Sequence, residues 1–162
     1  MFNAGFERAP AGQTFDWRIS RAEGAQAERD AAVAHSGGWS LRVRFEGRDN
    51  VAYQHVAQRA VVRPGPWRFE AQVRAEQITT DQGIGFRIVD AEEPGRLDVK
   101  TARLSGTRDW TSIEKRFTVP ERTRLVEVQV VREPSLKFDN KISGTAWVDD
   151  VRLTLGDQRQ RP

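Results

Sequence analysis

Two adjacent acids, Asp149 and Asp150, stand in the stretch GTAWVDDVRL at 144–153. The alternation around them is that of a half-buried strand, and a carboxylate carried into a protein interior needs compensation. Exposure to solvent, pairing with an arginine, or a bound cation would each supply it, and the residues alone leave these open. Asp149 shares strand parity with Trp147, Val151, Leu153 and Leu155, whereas Asp150 takes the other face unless a bulge intervenes. A second group with chemical potential is NVAYQHVAQ at 50–58, where the single tyrosine, Tyr53, stands beside Gln54 and His55. An aromatic face stacks on the C–H patches of a sugar ring, while amides, carboxylates and guanidinium groups pair with its hydroxyls.

Catalytic chemistry has little to work with. The chain contains no cysteine, no glycine-rich nucleotide loop, no serine elbow and no HExxH. Its two histidines fall in separate segments, His35 in a turn and His55 on a strand. Glu70 and Glu127 could oppose one another across a sheet, but nothing in the sequence sets them at the carboxylate separation that glycoside hydrolysis requires. The sequence predicts a domain that is not an enzyme.

The elements that must position these residues are strands. In WRFEAQVRA, Trp67, Phe69, Ala71 and Val73 share one face, with Arg68, Glu70, Gln72 and Arg74 on the other. SLRVRFE, IGFRIV and LVEVQVV repeat the pattern, and turn signals such as HSGG, EGRDN, RPGPW and EEPG separate the segments. Nine or ten strands are expected. SRAEGAQAERDAAVA reads as a loop and short strand, and RAEQITT as one helical turn at most. Amphipathic strands in this number bury their apolar faces against a second sheet, so the chain is expected to be one all-β sandwich over 1–156, with 157–162 a polar tail or linker.

Composition agrees. Of 162 residues, 38% are hydrophobic and 30% charged, and no apolar run is long enough for a membrane-spanning helix. Lys and Arg number 26 against 23 Asp and Glu; the arginines alternate with acids, so nucleic acid is not an expected partner. The opening MFNAGFERAP lacks the pattern of a secretory signal, which suggests a module from a longer chain.

NAGFE at 3–7, Phe15 and Trp17, HSGGWSLRVRF at 35–45, VVRPGPWRFEAQVRA at 61–75, DWTSIEKRFTVP at 109–120 and GTAWVDDVRL together resemble the carbohydrate-binding modules of the xylanase and glucanase type. That resemblance implies a galactose-binding-domain-like β-sandwich jelly roll, a non-catalytic accessory role beside glycoside hydrolases, and an extracellular or periplasmic location within a larger protein. It also implies a structural calcium joining the first and last segments. Glu7 and Asp149, with Asp150 in reserve, would supply carboxylates, Gly5 or Asn3 a carbonyl, and Ser36 to Ser40 further oxygens.

In such modules the ligand lies on the concave sheet or its rim. Tyr53, His55 and Gln54 are the expected contacts, Tyr53 and His55 ahead of Gln54, with Arg74 and Arg87 completing the groove. Trp39 is the expected exposed tryptophan at a rim, whereas Trp17, Trp67, Trp110 and Trp147 are expected in the framework. Arginines stand where binders of neutral polysaccharides carry aromatics, which points to soluble or acidic glycans, since guanidinium matches a uronate carboxylate. The alternative is a structural or protein-interaction domain of a bacterial envelope protein.

Overall fold

The period-2 segments become ten antiparallel strands in the computed structural model, which describes residues 1–156; the tail expected at 157–162 lies outside them. They are β1 (Arg18–Ile19), β2 (Ala25–Asp30), β3 (Ser40–Glu46), β4 (Tyr53–Val61), β5 (Gly65–Ile78), β6 (Gly85–Asp90), β7 (Asp98–Lys100), β8 (Gly106–Val119), β9 (Leu125–Arg132) and β10 (Ser143–Leu155). One sheet, here the β4 sheet, runs β1-β4-β9-β6-β7, and the other, the β5 sheet, runs β2-β3-β10-β5-β8. The result is an all-β sandwich of jelly-roll type. Among the described residues there is no helix, so none long and apolar enough to cross a membrane.

The inward faces follow the alternation. Leu41, Val43, Phe45, Phe69, Ala71 and Val73 from the β5 sheet meet Val56, Phe86, Ile88, Val126, Val128 and Val130 from the β4 sheet. Phe69 and Phe86, one from each sheet, hold their ring centroids 4.8 Å apart. RAEQITT forms no helical turn, because Ala75 and Ile78 continue the buried face of β5 through two irregularities in its pairing with β8.

Two bulges reorganise the faces. On β4 the register with β9 shifts between Tyr53 and Val56, so both of these point inward although three residues apart. On β10 the register with β5 shifts between Asp149 and Arg152, and Asp150 takes a left-handed φ of 49°. Ala146 and Val148 face the core before this shift, and Val151 and Leu153 after it. The parity expected to unite Trp147 and Asp149 with Val151 and Leu153 is therefore broken.

Arg132, at the end of β9, is 1% exposed and donates to five oxygens: Gln82 O (3.1 Å), Asn50 Oδ1 (2.7 Å), Val51 O (2.7 Å), Thr80 Oγ1 (3.2 Å) and Asn140 O (3.2 Å). These belong to the β3–β4, β5–β6 and β9–β10 connections, so one guanidinium fastens three loops at one end of the sandwich. Burial lowers its pKa, with the charge of Asp81 opposing that shift. Arg132→Ala is expected to cost about 3 kcal/mol in a urea melt, because it strands several buried acceptors. Arg132→Lys should recover less than half, since an ammonium lacks the planar fork that reaches all five.

Candidate functional site

The outer face of the β4 sheet carries an unbroken cross-strand row. Arg18 pairs with Ala57, Ala57 with Gln129, Gln129 with Arg87 and Arg87 with Lys100, one residue from each of five strands. The neighbouring row contains Arg59, Glu127, Val89 and Asp98. Ion pairs knit the two together: Arg18 to Glu127 at 2.6 Å, Arg59 to Glu127 at 3.5 Å, Arg87 to Asp98 at 2.8 Å, and Lys100 and Arg103 both to Glu133. Hydrogen bonds from Arg87 and Lys100 hold the Asp98 and Glu133 carboxyls below their ordinary range. Where this face meets the β9–β10 connection, a surface pocket of about 160 Å³ opens, lined by Gln54, Arg87, Lys100, Glu133 and Pro134 among others.

The expected ligand group is only partly assembled here. Gln54 and Arg87 share the pocket lining with Tyr53, and half-buried His55, outside that lining, holds its ring centroid 5.2 Å from that of Tyr53. Tyr53 borders the pocket but is only 2% exposed and packs edge-on against Phe45 of the opposite sheet, 5.8 Å between centroids, so its ring belongs to the core and presents no open face for stacking. The cause is the β4 bulge: it sends Tyr53 inward and leaves Gln54 exposed, reversing the expected order of the two. Arg74 belongs to the β5 sheet and projects from its outer side, 5.5 Å from the Trp147 ring centroid, so it cannot join Arg87 on one ligand. Glu70 and Glu127 are likewise on different sheets and form no carboxylate pair. Lys100, Asp98 and Glu133 escaped the sequence reading, although the alternation of β9 extended to Glu133 marks that residue as outward.

The tryptophans divide similarly. Trp17 is core, stacked on Phe6 at 4.8 Å, and Trp67 packs at the core margin. Trp147 is buried on the outer side of the β5 sheet, its indole N–H bonded to Asp30 Oδ2 at 2.9 Å. Trp110 is half-buried against His35, not enclosed by the framework. Trp39 is half-buried beneath the Arg29 guanidinium, 3.9 Å from its ring centroid.

The adjacent acids Asp149 and Asp150 separate at the bulge. Asp149 is fully buried; its Oδ2 accepts from the amides of His35 (2.8 Å) and Ser36 (3.1 Å), and its Oδ1 from that of Asp150 (2.7 Å). Among the described residues no Lys, Arg or His side chain pairs with it, and burial pushes its carboxyl pKa up despite those donors. Asp150 turns to His35 Nδ1 (2.7 Å) and Ser36 Oγ (2.8 Å). Burial acts to raise its pKa, but these bonds prevail and lower it.

Glu7 accepts from the amides of Gly38 (3.1 Å) and Trp39 (3.3 Å). A Cβ on Gly5 would stand 3.1 Å from Asp149 Oδ1 and 3.6 Å from Glu7 Oε1, so both carboxylates converge on the space that glycine leaves. Gly37 has a left-handed φ of 63°, and a Cβ there would lie 2.1 Å from Glu7 Oε1, so a side chain would strain the backbone and displace that carboxylate. The Ser36 and Ser40 hydroxyls are engaged elsewhere, on Asp150 and on Val33 O (2.5 Å), so neither side chain is a free ligand. No three His, Cys, Asp or Glu side chains gather as a metal group among the described residues.

No protein-family model and no curated protein matches the sequence. Solved structures do match in fold. TmCBM61, solved in complex with β-1,4-galactotriose, superposes with a TM-score of 0.64 at 17% identity, covering 96% of this chain and 97% of that one. The CBM22-1 xylan-binding domain of Paenibacillus barcinonensis Xyn10C gives 0.63 at 12% identity, with 94% and 91% covered. The C-terminal family 22 carbohydrate-binding module of Clostridium thermocellum Xyn10B gives 0.61 at 13%, covering 99% of both chains. The chain thus has the sandwich fold found in several distinct families of carbohydrate-binding module, over nearly its whole described length.

Tyr53 offers a direct test of its placement. Its hydroxyl is buried without a hydrogen-bond partner. Tyr53→Phe is therefore expected to leave stability unchanged or raise it by up to about 1 kcal/mol, whereas Tyr53→Ala should cost about 3–5 kcal/mol as a core cavity. Urea melts of both variants check this, and a clear loss in Tyr53→Phe would show the hydroxyl to be bonded.

Proposed function

We propose that the chain is a non-catalytic glycan-binding module whose ligand lies on the outer face of the β4 sheet. The observation that carries this reading is the five-strand row from Arg18 to Lys100, polar at every position but Ala57, with its pocket at Gln54, Arg87 and Glu133, on a sandwich of the carbohydrate-binding-module fold. That row contains no aromatic ring to lie flat on a crystalline surface, which favours soluble chains. Arg18, Arg59, Arg87, Lys100 and Arg103 stand against Glu127, Asp98 and Glu133, five cations to three carboxylates. The surplus favours a uronate-bearing glycan. Such a module would work outside the cytoplasm, in the periplasm or beyond, beside other domains of a longer chain.

Affinity electrophoresis in gels containing soluble xylan, β-1,4-galactan or polygalacturonate tests this. Weak to moderate retardation is expected, strongest and most salt-sensitive with polygalacturonate, with no reducing ends released. Arg87→Ala should weaken it and Arg74→Ala, on the opposite sheet, should not. Retardation by none of the three, or release of reducing sugar, defeats the reading. A second reading, a structural or protein-contact domain of an envelope protein, draws on the interlocked ion pairs, which leave few groups on that face unpaired; it expects no retardation.

We also propose that Glu7 and Asp149 hold a structural calcium. Asp149 is buried without a cationic side chain, and both carboxylates face the space beside Gly5. The carbonyls of Asn3, Ala4, Phe6 and Glu7 already accept hydrogen bonds, so among the described residues Gly5 O is the carbonyl of this segment left to join an all-oxygen set of the kind that suits that ion. When bound, it would neutralise the buried charge and join the first segment to the central strand of the β5 sheet. Calcium should then raise the melting temperature by mass action and exhaustive chelation lower it. Asp149→Asn should abolish the response, while Asp150→Asn, directed at His35, should keep it. Identical melts with calcium and with chelator sink the proposal.

A further inference from the structure

The β9–β10 connection presents two apolar side chains that nothing in the fold covers. Leu136 and Phe138 are 101% and 105% exposed, as open to water as in an extended peptide. Their support is nevertheless fixed. Asn50 holds both the amide and the carbonyl of Ser135 at 2.9 Å, Ser135 Oγ donates to Asp81 Oδ1 at 2.6 Å and accepts from the Lys137 amide at 3.1 Å, and buried Arg132 holds Asn140 O. The tip is pinned on both sides, which lowers the entropy lost when something settles on it.

We propose that Phe138, with Leu136 beside it, is the stacking platform of a glycan subsite whose hydrogen-bonding half is the pocket lined by Gln54, Arg87, Lys100 and Glu133. This rests on the glycan-binding reading above and supplies the ring that the β4 sheet lacks. The same segment connects the halves: Glu133 and Pro134 line the pocket, and Phe138 follows four residues after Pro134, a reach of at most about 14 Å. A sugar needs an apolar surface for its C–H face and polar groups for its hydroxyls, and the base of this anchored loop borders the polar pocket while its tip carries the apolar side chains.

Magnitudes argue against other occupants. A large side chain buries about 150–250 Å², so a stable protein interface of roughly 800 Å² per partner would have to extend from these two over the charged surface around them. Lys137 pairs with Asp81 at 3.8 Å and Asp139 offsets Lys141, so the loop tip itself carries no basic excess for an anionic lipid surface.

The test uses the full chain and the same gels with soluble xylan, β-1,4-galactan and polygalacturonate, on wild type, Phe138→Ala, Phe138→Trp and Arg87→Ala. Phe138→Ala should weaken binding about tenfold, as expected for loss of a stacking ring, with an unchanged melting temperature. Phe138→Trp should match or exceed wild type. Sedimentation and flotation with neutral and anionic vesicles should find wild type monomeric and unbound. If Phe138→Ala binds as wild type while Arg87→Ala does not, the platform is overturned and the glycan-binding module stands. If wild type binds none of the three glycans, the module reading falls and the platform with it. Self-association or vesicle binding abolished by Phe138→Ala, with retention in the gel unaffected, also overturns the platform in favour of a protein or lipid contact.

Discussion

One extra residue in β10 governs how the two ends of the chain meet. β10 is the middle strand of its sheet, hydrogen-bonded to β3 on one side and β5 on the other, so it cannot slip without moving both. The left-handed backbone at Asp150 costs of order 1–3 kcal/mol for a residue with a side chain, though Asp tolerates it better than most. The surroundings offset that cost: the Asp150 amide bonds Asp149 Oδ1, its carboxylate takes Ser36 and His35, and the Val151 amide reaches Ala4 O at 3.0 Å. Asp149 keeps the outward direction of Trp147, toward Gly5 and Glu7, while the extra residue turns Val151 and Leu153 to the apolar core. The first segment, the 35–39 turn and the last strand become one unit.

The opposite end of the sandwich is organised by a charge of the other sign. Arg132 continues the inward parity of Val126, Val128 and Val130, so the strand carries a guanidinium into the interior. It persists there because all its bonds go to oxygens of three loops, which would otherwise leave their own backbone groups unsatisfied. The β9–β10 connection inherits its shape from this arrangement. Its base is held by Arg132 and Asn50, and its tip is thrust outward, which is why Leu136 and Phe138 stand in water despite their apolar character.

Between these ends, the outer face of the β4 sheet is a lattice of paired charges. Exposed ion pairs of this kind contribute about 0–1 kcal/mol each, so their value to the fold is small. Their effect is on the surface: they fix the direction of Arg87 and Lys100, keep the face polar, and leave no aromatic platform on the sheet itself. Stacking, if a sugar is held here, has to come from a loop.

The sequence by itself determined which residues alternate, which faces are apolar and that the strands must close into a two-layer sandwich, because side-chain direction in a strand has a period of two and apolar area must leave water. It also singled out Asp149, Gln54 and Arg87 as residues worth locating. It did not determine that Tyr53 belongs to the core, that Asp149 and Val151 face opposite ways, or that Arg74 and Arg87 lie on different sheets. The first two turn on bulges, and a single extra residue inverts every face beyond it without altering composition or local propensity. The third turns on strand order, since β5 and β6 are neighbours in sequence but pair with β10 and β9 respectively. Only the packing of distant strands against one another fixes both, and that is a property of the closed sandwich, not of any segment within it.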